Sequence, residues 1–254
     1  YESLIAFSNA KYYDNEMNSF PNPDTAFEGV EYVLVEDGVY DRGGKRTNEA
    51  EAKKAVELAS KIYEQLPEDT EETVGIITFG IEQMNLVQEM IRVAVREKIP
   101  NYDQLDRLVD VVNLESCQGK EWDVTILSMT YGRDADGELP RNFGPMGQKE
   151  GRNRLNVMIT RAKKRMIVVT SMQPEDFGDN VKAGVADIRD FLAYAKGELK
   201  LDTRETEAAD SKGTADMCDN VADALRKKGY EVHTNVGSSA CKVDVAVVSN
   251  DEGG

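Results

Sequence analysis

The chain has 254 residues, enough for one sizeable core and a small appendage. With 40% hydrophobic and 31% charged residues it reads as globular rather than disordered, and no apolar run approaches the roughly 20 residues of a membrane helix. The formal net charge of -16 argues against bulk binding to a polyanion, so any such contact has to come from a local basic patch. Cys117, Cys218 and Cys241 are far apart and form no C-x-x-C, which reads as free thiols in a reducing compartment and a cytoplasmic location. The sole histidine, His233, has no clustered ligands around it in sequence, so a zinc site is not expected. The chain lacks a secretory signal at Tyr1 and does not begin with Met, so it reads as a piece of a longer protein.

Tyr32-Val35 is the first β-branched run and predicts a buried strand. Gly43-Gly-Lys-Arg-Thr47 has the look of a phosphate loop, but G-x-x-x-x-G-K-[ST] would need Gly at Val39 and Ser or Thr at Arg46. A helix is expected over Thr47-Leu66, with Ala52, Ala55, Val56, Ala59, Ile62 and Tyr63 at helical spacing and Asn48 with Glu51 as a capping pair. A strand at Val74-Thr78 follows. Next comes a helix to about Lys98, with Met84, Val87, Ile91 and Val95 on one face. Further strands are expected at Leu108-Asn113, Val124-Ser128 and Met166-Thr170, and Arg133-Gly151 reads as a surface loop. Strands alternating with helices predict an α/β fold with a largely parallel sheet, in which ligands sit at the carboxyl ends of strands. A helix near Val185-Leu199 and a polar linker at Leu201-Lys212 precede a small unit. There Met217, Val221, Ala224 and Leu225 predict a helix stopped by Gly229, and Tyr230-His233 and Val243-Val248 predict a hairpin.

Two segments carry candidate chemistry. Asn113-Leu-Glu-Ser-Cys-Gln-Gly-Lys-Glu-Trp-Asp123 joins two strands, and Gln118, Lys120, Glu121 and Asp123 could meet a sugar or a phosphate backbone near the strand end; from spacing alone a solvated loop is an equal reading. Gly151-Arg165 gathers basic residues around an apolar stripe of Leu155, Met158, Ile159 and Ala162. Arg154 and Arg161, seven residues apart, would emerge along one edge of that helix, where guanidiniums suit phosphate oxygens; spacing alone also allows a solvated basic helix.

Val74-Gly-Ile-Ile-Thr-Phe-Gly-Ile-Glu-Gln83, Val112-Asn-Leu-Glu-Ser-Cys-Gln-Gly-Lys-Glu-Trp-Asp123 and Arg154-Leu-Asn-Val-Met-Ile-Thr-Arg-Ala-Lys163 together resemble, in order and spacing, three motifs of superfamily 1 helicases, closest to the Upf1-like, DNA2/NAM7 group. Glu2-Asn9, Phe20-Pro21 and Gly38-Asn48 resemble segments of large bacterial members, so the likeness runs over about Tyr1-Met172. The resemblance implies a second RecA-like domain of the P-loop NTPase superfamily, a parallel sheet flanked by helices. ATP and Mg2+ would be held mainly by an N-terminal RecA-like domain of the same protein, and the substrate would be DNA or RNA. By motif match, Arg161 would contact the γ-phosphate and Glu121 the ribose, with Gly119 and Arg154 supporting the nucleotide side. Thr78, Ser116 and Gln118 would fall where the family touches nucleic acid, although Phe79-Gly80 stands where many members have Pro-Tyr.

The tail from Gly229 to Val248 resembles the opening of a restriction-endonuclease-like domain, a small α+β appendage. Asp244 matches that fold's Mg2+-binding acid, Asp219 lies where it often has Glu, and a lone Asp would hold no catalytic metal. The expected organisation is a helicase domain over 1–175, a helix and linker over 176–212 and an incomplete nuclease-like start over 213–254. The expected activity is that of an ATP-dependent helicase or translocase in the intact protein. The isolated chain should be inactive for want of a phosphate loop. A non-catalytic RecA-like binding module and a helicase–nuclease fusion fragment are the alternatives.

Overall fold

The computed structural model describes residues 2–17, 29–66, 70–98, 109–140, 142–178, 181–201, 212–236 and 243–247. The chain divides into two compact units, Gly29–Lys200 and Tyr1–Glu28 with Leu201–Gly254.

The larger unit has an α/β, RecA-like fold. Strands β1 (Val30–Leu34), β2 (Val74–Thr78), β3 (Val109–Asn113), β4 (Trp122–Ser128) and β5 (Ala162–Thr170) form one sheet in the order β1-β5-β4-β2-β3. All four pairings are parallel. The interior strand β2 is buried at every position, which is why its sequence is a continuous apolar run rather than an alternation. Trp122 of β4 lies across Gly75 of β2, and any Cβ at position 75 would collide with the indole.

In the chain order of this unit, the smaller unit's helix α1 (Glu2–Tyr12) precedes α2 (Glu49–Gln65), α3 (Ile81–Lys98), α4 (Gly151–Ile159) and α5 (Ala183–Ala195). The stripe expected on α2 is real. Ala52, Ala55, Val56 and Ala59 pack with Val74, Ile76, Ile126 and Ile167 of the sheet. Asn48 caps α2 by accepting the Glu51 N–H at 3.2 Å. Val87 of α3 is fully buried beside these residues.

Three expectations shift. The Gly151-Arg165 segment is not one helix: α4 stops at Ile159 and β5 begins at Ala162. The Thr160 hydroxyl donates to the Asn156 and Val157 carbonyls at 2.9 and 3.1 Å, and Trp122 N–H takes the Arg161 carbonyl, so strand pairing replaces the next helical turn. Arg133-Gly151 is more than a surface loop, because Phe143 and Met146 sink into the interior around a 3-10 turn at Gly144–Gly147. The compact unit also reaches Lys200, beyond the boundary expected at 175, because α5 brings Val185, Ile188, Phe191 and Leu192 into burial.

In the smaller unit, Asn9 of α1 both donates to the Met17 carbonyl and accepts from its N–H, each at 2.9 Å. Helix α6 (Lys212–Lys227) is followed by the antiparallel hairpin β6 (Val232–Val236) and β7 (Val243–Val247). Gly229 closes the helix, as expected, with the Tyr230 N–H returning to the Leu225 carbonyl. The expected stripe is less buried than its spacing suggested: Ala222 is covered, whereas Met217 is 66% exposed. Most of the Leu201-Lys212 linker, and Cys241, lie outside the described residues.

Candidate functional site

The carboxyl ends of β2, β3 and β4 open into a groove of about 780 Å³. Phe79, Gly80, Ile81 and Glu82 line it after β2, Asn113, Leu114 and Glu115 after β3, and Thr130 and Tyr131 after β4. Tyr40, Arg42 and Arg46 enter from the segment before α2, and Asn142, Gly144 and Pro145 from the long loop before α4. Tyr131 is the hub of its aromatic wall, with edge-to-face contacts to Tyr40, Phe79 and Phe143 at centroid distances of 5.4, 5.9 and 5.3 Å. Burial raises the hydroxyl pKa of Tyr131, and that of Tyr40, above the usual tyrosine range.

Beneath the groove lies a polar cluster, of which the sequence showed only the Asn48–Glu51 capping pair. The Glu51 side chain is fully buried and accepts from every side. Ser128 Oγ and Thr130 N donate to one carboxylate oxygen at 3.0 and 2.7 Å. Ser171 N and Oγ donate to the other at 2.8 and 2.6 Å, with Asn48 Nδ2 at 3.4 Å. Gln83 of α3 joins by donating to the Asn48 carbonyl at 2.9 Å and to Ser128 Oγ at 3.3 Å, while accepting the Asn48 N–H at 2.8 Å. Thr130 is held at φ 67, a backbone region that non-glycine residues rarely adopt. Burial pushes the Glu51 carboxyl up to about 7 against the downward pull of its donors. A signal was available: Glu51 falls on the same helical stripe as Ala55 and Ala59, four and eight residues on.

The segment between β3 and β4 links the two ends of the sheet, because parallel strands require the chain to return from a carboxyl end to an amino end. At its start, Ser116 Oγ donates to Asn113 Oδ1 at 2.8 Å and closes a tight turn beside the groove. Thr78 is fully buried and its hydroxyl donates to the Gly80 carbonyl at 2.9 Å, so it shapes the strand end and is not presented to a ligand. Gln118, Gly119 and Glu121 are exposed further along, with Gly119 at φ 81, a conformation that favours glycine. The expectation that this loop's polar groups gather at the carboxyl end is corrected. Asp123 sits at the amino end of β4, where it accepts Thr73 N and Oγ1, each at 2.9 Å, and these bonds hold its carboxyl below the usual range despite the opposing effect of burial.

The two arginines separate for the same reason. Arg154, near the start of α4, donates to Glu115 at 3.2 Å at the groove. Arg161 lies past the helix, at the amino ends of β4 and β5, so the two sit at opposite ends of the β3–β4 segment that both reach. Its guanidinium donates to the Val157 carbonyl at 2.7 Å, the Lys120 carbonyl at 3.2 Å and Thr160 Oγ1 at 3.0 Å. All three acceptors are neutral. By contrast Arg152 binds Asp187 at 2.7 Å, Arg165 binds Glu31 at 2.5 Å, and Lys164 binds Glu72. The basic run is therefore mostly spent on ion pairs, and among the described residues Arg161 is the arginine of this segment without a carboxylate partner. On the smaller unit, Asp219 and Asp244 are exposed on α6 and β7, and among the described residues no three His, Cys, Asp or Glu side chains gather as metal ligands.

Fold and site together define a RecA-like α/β unit with a groove at one end of its sheet and a neutral-bonded arginine at the other. The chain belongs to the AAA_12 family, an AAA domain, whose model matches residues 1–173. It is 28% identical over 257 aligned positions to an uncharacterized ATP-dependent helicase, MG140, of Mycoplasma genitalium, an alignment covering 93% of this chain and 22% of that protein. It is 31% identical over 183 positions to the MG140 homolog of Mycoplasma pneumoniae, covering 69% of this chain and 15% of the relative. The chain thus spans about a fifth or less of the length of these relatives. Among solved structures, it is similar to the C-terminal domain of a possible DNA helicase from Lactobacillus plantarum, at 13% identity and a TM-score of 0.41, over 75% of this chain and 93% of the other.

Proposed function

We propose that this chain is the second motor half of an ATP-dependent helicase or translocase, with Arg161 as the arginine that reaches the γ-phosphate of ATP held by a partner RecA-like domain. The observation that carries this reading is the bonding of Arg161. A guanidinium held only by neutral acceptors keeps its full charge for a phosphoryl group in transfer, while its bond to the Lys120 carbonyl ties it to the loop that begins at the groove. Glu121 and Gly119 lie on that loop and would face the nucleotide. Ser116 and Gln118 would touch nucleic acid or relay its presence, with Thr78 acting through the strand end it shapes. Arg154 would act at the groove rather than beside the nucleotide. Mg2+ and the phosphates of ATP would be held by the other domain. The helix and hairpin of the smaller unit would begin a nuclease-like domain, with Asp244 on β7.

Arg161→Ala in the full-length protein should lower nucleic-acid-stimulated ATP hydrolysis by roughly 1,000-fold, with the circular dichroism spectrum unchanged. Unchanged turnover would overturn the assignment.

A further inference from the structure

The segment between β1 and α2 belongs to none of the three motifs, yet it forms one side of the groove. Residues 41–46 make an exposed, braced turn. The Asp41 carboxylate accepts from Gly44 N at 2.9 Å and Lys45 N at 2.8 Å. Arg46 N donates to the Asp41 carbonyl at 2.8 Å, and Asp41 N to the Thr47 carbonyl at 2.9 Å. Tyr40 and Asn48 pair across its base. This turn replaces the phosphate cradle that the glycines suggested, because Asp41 already occupies the N–H groups of Gly44 and Lys45.

What the turn presents is cationic. Arg42 and Arg46 both line the groove. Arg42 is steadied by Asp134 at 2.8 Å. Arg46 is 67% exposed on its side chain and has Glu82 only at 4.0 Å. It is also held at φ 57, where a side chain costs roughly 1 kcal/mol more than glycine would. The other carboxylate of the groove, Glu115, is engaged by Arg154. An open groove with a loosely paired guanidinium at its lip suits an extended polyanion, with phosphates on the arginine forks.

We propose that Arg46, with Arg42 beside it, grips the phosphodiester backbone of a single-stranded nucleic acid lying in this groove. The inference rests on reading the groove as the nucleic-acid track of the motor. Such contacts position the strand without reading its bases. The strand's phosphate displaces Glu82 from Arg46, which moves from a long ion pair to a bidentate one.

Fluorescence anisotropy of labelled oligo-dT and oligo-U with the 254-residue chain, across a salt series, tests this. Arg46→Gly is the informative variant, because glycine removes the cation and suits the left-handed backbone. It should weaken binding about tenfold and reduce the slope of log affinity against log salt by about 0.7, the loss of one phosphate contact to a single strand. Arg42→Ala with Arg46→Gly should reduce the slope by about 1.4. Lys61→Ala, an exposed lysine near the end of α2, should change neither quantity. Equal losses on both oligomers match a backbone contact; a loss confined to one of them would overturn it. Binding by the native chain that Arg46→Gly retains with the same slope overturns this inference alone. No binding by the native chain overturns the groove reading and this inference with it.

Discussion

The two ends of the sheet solve the problem of placing polar groups in opposite ways. At the carboxyl end, Asn48, Glu51, Gln83 and Ser128 are fully buried and bonded to one another, and Thr130 is 2% exposed. At the amino end, Arg161 is half-buried, Glu121, Lys163 and Lys164 are exposed, and the bonds of Arg161 run to nearby carbonyls and a hydroxyl. A buried network must be complete, since each orphaned donor costs about 1–3 kcal/mol. An exposed guanidinium can exchange partners at little cost. The first end is therefore a fixed floor, and the second a surface that can meet something else.

The contrast predicts a large loss of stability from the floor. Glu51→Ala removes the common acceptor of Ser128, Thr130, Ser171 and Asn48 and leaves a cavity where the side chain stood. Water entering that cavity could recover only part of the loss. The expected cost is about 3–5 kcal/mol, read as a lower urea midpoint with unchanged slope. A loss below about 1 kcal/mol would mean that the network does not brace the groove.

How much of this was legible in the sequence depended on whether a feature was local. β2 is recovered residue for residue because a buried parallel strand writes itself as an unbroken apolar run. The Asn48 cap was readable because its partner is three residues away. The far end of the Glu51 network was not, because Ser128, Thr130 and Ser171 meet it only through the sheet order. The early end of the helix expected to carry both Arg154 and Arg161 has the same origin. Their spacing is compatible with one helix, but pairing of β5 with β4 from Ala162 onward ended that helix early, and no helical periodicity records a strand partner. The placement of Arg42 and Arg46 at the groove was not legible, because the glycines of that turn read as a phosphate cradle while its position beside the strand ends depends on the fold.

A smaller effect separates the charge of Glu51 from its volume. Burial raises its folded pKa to about 7 from the ordinary 4.5, so the native state keeps its proton where the unfolded chain has released it. Stability from this group is fully present below about pH 4.5, falls as pH rises through that interval and levels off above about pH 7, by at most about 3 kcal/mol. Glu51→Gln should abolish that slope. It should also cost about 1–3 kcal/mol at low pH, because Thr130 N–H and Ser171 N–H now go to different carboxyl oxygens, and in the amide one of them would face a nitrogen that cannot accept. Thermal melts of both proteins from pH 5 to 8 give the comparison, and parallel curves would place the titration elsewhere.

The smallest expected effect is at the amino end and is the more telling for it. Arg161→Ala deletes three hydrogen bonds, yet each acceptor it leaves is a carbonyl or a hydroxyl beside an exposed loop, where water can replace the guanidinium. No buried carboxylate is stranded, because none among the described residues was paired with it. The cost should therefore stay within about 0.5–1 kcal/mol in urea denaturation of the chain. Combined with a large loss of ATP turnover in the full protein, so small a cost would show that Arg161 is kept for what it meets rather than for what it holds together. A loss as large as that of Glu51→Ala would mean instead that Arg161 is a pin between α4 and the β3–β4 loop, and its bonding to neutral acceptors would then need no phosphate to explain it.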